Sequence, residues 1–314
     1  CASSHQKCKS VFTFESPTRL LDLGSDEPQA IDTIRLINSK TLQSDAQYTI
    51  LSYCWGTSVS HGLLRTTLST LDVHSGGIKV DALPKTFQDA IRLTRAISTR
   101  YIWIDSLCII QDDPTDWEKE AEKMAAYFQN SLLTIAATSA ADSTTGPKLA
   151  DRFNVMRSPL NKRGWVLQEI VLSTRVLHCA QDQWYWQCRE HINSEDGVVA
   201  EPDVDFVADD WHDWRKYPLH RQIIGQWNHL AVAYSKRTLT YEKDKLAAFA
   251  GITNYFQQRS NDEPILGAWK TTLAYDLHWT TVYDERDQAP PPKEDAIWLR
   301  LPSWSWMSTP SKIR

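Results

Sequence analysis

No stretch of the chain is apolar for long enough to cross a bilayer as a helix. The longest apolar-rich run, Ser131 to Ala141, is broken by Thr and Ser and reads as a core strand. A basic excess is missing as well. Lys and Arg number 34 against 39 Asp and Glu, for a net charge of -5 and a pI near 6.0. That balance offers no electrostatic footprint for nucleic acid. The six cysteines (Cys1, Cys8, Cys54, Cys108, Cys179 and Cys188) are scattered, with no CxxC pair, and the nine histidines form no HExxH. Both patterns argue against a disulfide framework and a zinc site. The expectation is therefore no metal, no resident cofactor and a reducing, cytoplasmic setting. The chain opens on Cys1 with no Met and no apolar signal core, as a trimmed or processed chain would.

Nucleotide-binding signatures are also lacking. There is no GxGxxG after a strand and no GxxxxGK[ST], which sets aside a Rossmann dehydrogenase and a P-loop enzyme. Internal repeats and extended low-complexity segments do not occur.

What is present is ordinary globular material: 314 residues, 42% hydrophobic and 23% charged, enough for one large domain or two modest ones. The 14 tryptophans stand out, several of them in polar segments such as Trp184-Tyr185-Trp186 and Trp304-Ser305-Trp306. Their simplest use is packing, since an indole buries a large area and its N–H needs one partner.

Residues 1–30 read as a lead-in with one strand at Val11 to Phe14. Residues 31–190 read as the core. Within it, strands are expected at Ile31 to Asn38, Tyr48 to Tyr53, Tyr101 to Asp105 and Ser131 to Ala137. Phe87, Ala90, Ile91, Thr94 and Ile97 share one helical face after Leu83-Pro84. A second helix follows Asp112-Asp113-Pro114, with capping-box spacing at Thr115 and Glu118. Strands alternating with helices predict a right-handed parallel sheet covered by helices. Asp142 to Asn161 reads as irregular, Gly164 to Ile170 as a short helix, and Arg175 to Cys188 as a hairpin. Residues 191–314 read as a Trp-rich α+β extension, with helices at Gln222 to Tyr234 and Asp244 to Gln257. A linker at Pro290 to Pro292 precedes a final strand at Ile297 to Trp306.

Candidate functional residues sit at strand ends. Asp105 closes a strand whose carboxyl end is where an α/β sheet takes a ligand, although an Asp there also suits a turn. Ser52, Tyr53, Trp55 and Gly56 close another. Gly56 permits close approach and Trp55 offers a face for stacking, while a packed loop is the plainer role. Cys108 lies in an apolar run and reads as inert core, and Cys54 the same. His178 reads as a satisfied core histidine. Gln111 and Gln168 suit either a ligand amide or a buried backbone group.

Four segments, YTILSYCWG (48–56), LPKTFQDAIRLTRAISTRYIWIDSLCIIQ (83–111), SLLTIAATSAA (131–141) and RGWVLQE (163–169), together resemble the fungal HET (heterokaryon incompatibility) family in order and spacing. Downstream pieces at Tyr234 to Leu246, Ala247 to Ile252 and Pro302 to Ser308 extend the likeness over roughly residues 30–308. The family is associated with non-self recognition and programmed cell death, and is distantly similar to TIR domains, many of which cleave NAD between nicotinamide and ribose. The resemblance implies a TIR-like parallel sheet flanked by helices and a catalytic carboxylate at Glu169, four residues after Trp165. It further implies NAD as substrate rather than cofactor, contacted by Ser52, Tyr53, Trp55, Gly56, Asp105, Trp165 and Gln168. It leaves two alternatives open: a non-catalytic, self-associating signalling module, and an enzyme of small-molecule biosynthesis. Expected partners are further copies of the chain and a sensor or regulatory protein.

Overall fold

The computed structural model describes residues 1, 5, 8, 16–24, 32–43, 46–55, 64–138, 155, 158–180, 182–197, 219–282 and 300–314, with the side chains of 219–224 set aside. They fall into two compact units. The first comprises 1–160 and 172–200; the second comprises 161–171 and 201–314.

The first unit is a nine-stranded sheet. Its strands are β1 (Arg19–Asp22), β2 (Thr33–Asn38), β3 (Tyr48–Ser52), β4 (Ile78–Lys79), β5 (Tyr101–Trp103), β6 (Leu133–Ala136), β7 (Arg175–Cys179), β8 (Trp184–Cys188) and β9 (Ile192–Ser194), in the order β4-β2-β1-β5-β3-β6-β7-β8-β9. Its centre, β5-β3-β6-β7, is parallel throughout. β3 and β6 are buried at every residue, as strands covered on both faces must be, which explains why they read as unbroken apolar runs. The flanks add antiparallel strands to the parallel sheet that was expected. β1, β2 and β4 pair antiparallel on one side, and β8 and β9 on the other. On the second flank the connections explain the switch, because neighbours joined by a short turn, such as β7 and β8, can pair only antiparallel. The hairpin expected at 175–188 is this pair. β1 is an additional strand inside the lead-in, and Val11 to Phe14 lies outside the described residues.

Helices α1 (Leu71–Gly76), α2 (Lys85–Ala96), α3 (Asp105–Cys108) and α4 (Pro114–Asn130) belong to this unit. α2 buries Phe87, Ala90, Ile91 and Thr94, the face predicted from spacing. It docks on β3 through a 2.7 Å hydrogen bond between Thr94 and Thr49 hydroxyls. α4 lays Tyr127 and Phe128 edge-on against Trp103 of β5, with centroids 5.8 and 6.2 Å away. Its cap is not Thr115. The Asp113 carboxylate accepts from the N–H groups of Thr115 and Asp116 at 3.0 and 3.3 Å, with Pro114 at the first helical position. An ionised Asp at that position also complements the helix dipole, so the box spacing at 115 and 118 goes unused.

The second unit holds α5 (Gly164–Leu172, its last residue counted with the first unit), α6 (Leu219–Ser235), α7 (Ala247–Ser260), the hairpin β10 (Pro264–Ile265) and β11 (Ala268–Trp269), and α8 (Leu273–Asp276). Its core is aromatic. Trp227 touches Phe249, Phe256 and Trp269 at 5.2, 5.7 and 4.9 Å between centroids, and Phe249 meets Trp306 at 5.4 Å. The indole N–H groups of Trp227 and Trp306 both donate to the Gly267 carbonyl, at 2.9 and 2.7 Å. Leu266 and Gly267 turn the hairpin with φ of 43° and 90°. Two positive values belong to the turn whose twist matches a two-residue hairpin. A Cβ on Gly267 would stand 2.6 Å from the Trp306 indole nitrogen. Gly267→Ala is therefore expected to destabilise this unit by roughly 2 kcal/mol, read from its denaturant midpoint. The strand expected at 297–306 is absent from its described part. Residues 306–308 form a 3-10 turn instead, capped by the Ser305 hydroxyl, which accepts from Met307 N–H at 3.1 Å. That local cap competes with an extended backbone. The Pro290 to Pro292 linker and most of Asp142 to Asn161 lie outside the described residues.

Candidate functional site

The four parallel strands, taken in chain order β3, β5, β6, β7, sit in the sheet as second, first, third, fourth. In that doubly wound order the chain leaves neighbouring strand ends in opposite directions between the first and third strands, which is where such sheets take ligands. Here the point lies between the carboxyl ends of β3 and β6, where the Ala137 N–H donates to the Ser52 carbonyl at 2.8 Å.

Four predicted residues gather on this rim. Ser52 ends β3 and is buried. Tyr53 is buried, its ring edge-on to Phe87 at 4.9 Å and its hydroxyl donating to Ser106 Oγ at 2.9 Å. Trp55 donates its indole N–H to Asp105 Oδ2 at 2.8 Å, tying the β3 end to the β5 end. Asp105 Oδ1 accepts the Ser106 N–H at 2.6 Å, so the carboxylate also organises the first turn of α3. Gly56 lies outside the described residues. Gln111 donates to the carbonyls of Asp105 and Ile109, both at 3.1 Å, which is the backbone-satisfying role weighed for it.

Two neighbours behave as their sequence context implied. Burial pushes the Cys108 thiol up to about 12 and leaves it inert. His178 bonds Gln187 Oε1 at 2.8 Å and the Thr138 hydroxyl at 3.3 Å, and burial pushes it down to about 4, so it is a neutral core imidazole at pH 7.

The other predicted residues, Trp165, Gln168 and Glu169, lie on α5 in the second unit. Trp165 donates its indole N–H to Asp244 Oδ2 at 3.3 Å. Glu169 is buried and electrostatically coupled to Arg237. Burial pushes that guanidinium down to about 9, against the pull of the carboxylate. Arg237 also donates to the Arg163 carbonyl at 3.1 Å, fastening the segment after α6 to the start of α5. Gln168 is 1% exposed, and among the described residues neither its amide nitrogen nor its carbonyl oxygen has a hydrogen-bond partner. Buried amides are nearly always satisfied, so an orphaned one needs a reason. Arg237 and Asp244 were not foreseen as functional neighbours. Both fall in the downstream piece Tyr234 to Leu246, but nothing in its spacing ties them to a helix some 70 residues earlier. Residues able to hold a metal ion form a separate set around Cys8 in the first unit.

Residues 48–155 match the family model described as heterokaryon incompatibility protein (HET). The range 48–155 therefore resembles a HET domain. The matched range contains the rim residues Ser52, Tyr53, Trp55 and Asp105, together with Gly56, and ends before Trp165, Gln168 and Glu169. The match supports a function of the heterokaryon-incompatibility type. No curated protein and no solved structure matches the chain. Among the described residues no helix is long and apolar enough to cross a membrane.

Proposed function

We propose that this protein is a cell-death effector of non-self recognition that hydrolyses NAD at the nicotinamide–ribose bond. The observation that carries the reading is the buried, unpartnered amide of Gln168 beside the buried carboxylate of Glu169. A primary amide offers N–H donors and a carbonyl acceptor in one plane, the complement of the nicotinamide carboxamide. The carboxylate is the group that the developing ribosyl cation needs. In the reaction the C1′–N bond breaks and its electron pair leaves with neutral nicotinamide. Water then adds to C1′ and loses a proton, giving ADP-ribose. The likeness of the RGWVLQE helix to the TIR carboxylate helix supports the same assignment, with NAD as substrate and no resident cofactor.

The test is to incubate concentrated protein with NAD, follow nicotinamide by chromatography and record the assembly state by sedimentation. Time-dependent release is expected. Gln168→Ala should raise KM about tenfold, the effect of one lost hydrogen-bonded contact. An absence of nicotinamide in monomer and oligomer alike would remove the enzyme reading. The coupling of Glu169 to Arg237 favours a second reading, a self-associating signalling module in which this carboxylate is structural. In that case Glu169→Gln protein that remains folded would still kill cells.

A further inference from the structure

We infer that Cys1, His5, Cys8 and Cys188 form a structural zinc site that fastens the N-terminal segment to the end of β8. The inference is independent of the reaction proposed for Glu169. It departs from the expectation of no metal, which rested on the absence of a CxxC pair.

The four ligand atoms all lie within 4.8 Å of one another. His5 Nδ1 stands 3.5 Å from Cys188 Sγ and 3.8 Å from Cys8 Sγ. A zinc ion bound tetrahedrally, with Zn–S about 2.3 Å and Zn–N about 2.0–2.1 Å, sets its nitrogen and sulfur ligands about 3.6 Å apart. The side chains therefore already stand at the spacing of a coordination shell. Cys8 and Cys188 are buried, while Cys1 and His5 are half-buried. Cys1, Cys8 and Cys188 are in no disulfide.

The donor chemistry selects the ion. Three thiolates and one imidazole are soft and borderline ligands, which suit zinc and are foreign to magnesium or calcium. Four protein ligands leave no open position for substrate, which makes the site structural rather than catalytic. Its surroundings fit. A zinc ion with three thiolates carries one net negative charge, and Arg175 reaches the segment by donating to the Cys8 carbonyl at 2.8 Å. Glu190 and His191 place polar atoms within 4.8 Å of a ring nitrogen of His5. Bridging Cys8 to Cys188 closes about 180 residues of chain, the kind of long-range tie that stabilises by restricting the unfolded state.

The experiment uses the whole 314-residue chain, purified under reducing conditions from zinc-supplemented medium, with metal content read by elemental analysis. About one zinc per chain is expected. Chelation should lower Tm by several degrees, and cobalt added to the stripped protein should give the visible absorption of a tetrahedral, thiolate-ligated ion. Cys8→Ser and Cys188→Ser should each lose most of the metal, whereas Cys179→Ser should keep it. The cobalt spectrum on unmutated protein keeps the test decisive if a variant misfolds. Zinc-free protein whose cobalt form lacks thiolate bands, a Cys8–Cys188 disulfide in freshly isolated chain, or full zinc content in both variants would each overturn the site.

Discussion

Glu169→Gln is expected to slow nicotinamide release by about 100- to 1,000-fold, the loss typical of removing a group aimed at transition-state charge. The substitution also has a structural cost, because Glu169 opposes the burial of the Arg237 guanidinium. Taking the carboxylate away leaves a poorly solvated cation, with an expected loss of about 2 kcal/mol. The two effects separate in a cycle. Arg237→Gln alone should lose similar stability. Combined with Glu169→Gln it should regain part of that loss, since both charges then leave together. Catalysis should not return in the double variant. Rates per folded molecule, with denaturant curves for all four proteins, decide the matter. Unchanged turnover in folded Glu169→Gln would assign the carboxylate to the Arg237 contact alone.

Trp227→Ala carries the largest expected stability effect, about 3–5 kcal/mol on the second unit. The indole is 1% exposed and contacts Phe249, Phe256 and Trp269 edge-on. Its N–H shares the Gly267 carbonyl with Trp306, so its removal both opens a cavity and withdraws a bond from the hairpin turn. Trp227→Phe, which keeps part of the ring but not the donor, should lose roughly half as much. Near-UV dichroism against temperature checks both. A loss below about 1 kcal/mol for Trp227→Ala would mean that the aromatic cluster does not hold the unit together.

The candidate site shows where local pattern suffices. Asp105 and Trp55 could each be placed at a strand end from the runs YTILSYCWG and YIWID, because unbroken β-prone runs ending in a turn mark buried strands. That the indole N–H of one donates to the carboxylate of the other follows only from β3 and β5 pairing in parallel, which brings residues 50 apart side by side. The orphaned amide of Gln168 is likewise invisible in sequence, since a helical Gln is exposed or buried according to what packs on its face. The proposed zinc ligands carry no local signal for a related reason. Three lie within eight residues, but their C-x3-H-x2-C spacing is not a familiar one, and the fourth arrives from the far end of the sheet.

Alternation and apolar runs were enough, in this protein, to establish the α/β class, the β3–α2–β5–α4–β6 order, the buried face of α2 and the β7–β8 hairpin. These follow from interactions within one element or between neighbours along the chain. The antiparallel flanks, the Trp227 cluster, the Glu169–Arg237 coupling and the Cys1-His5-Cys8-Cys188 convergence were decided by the tertiary structure. Each joins residues far apart in the chain, and the energy that selects such contacts exists only once the elements have packed.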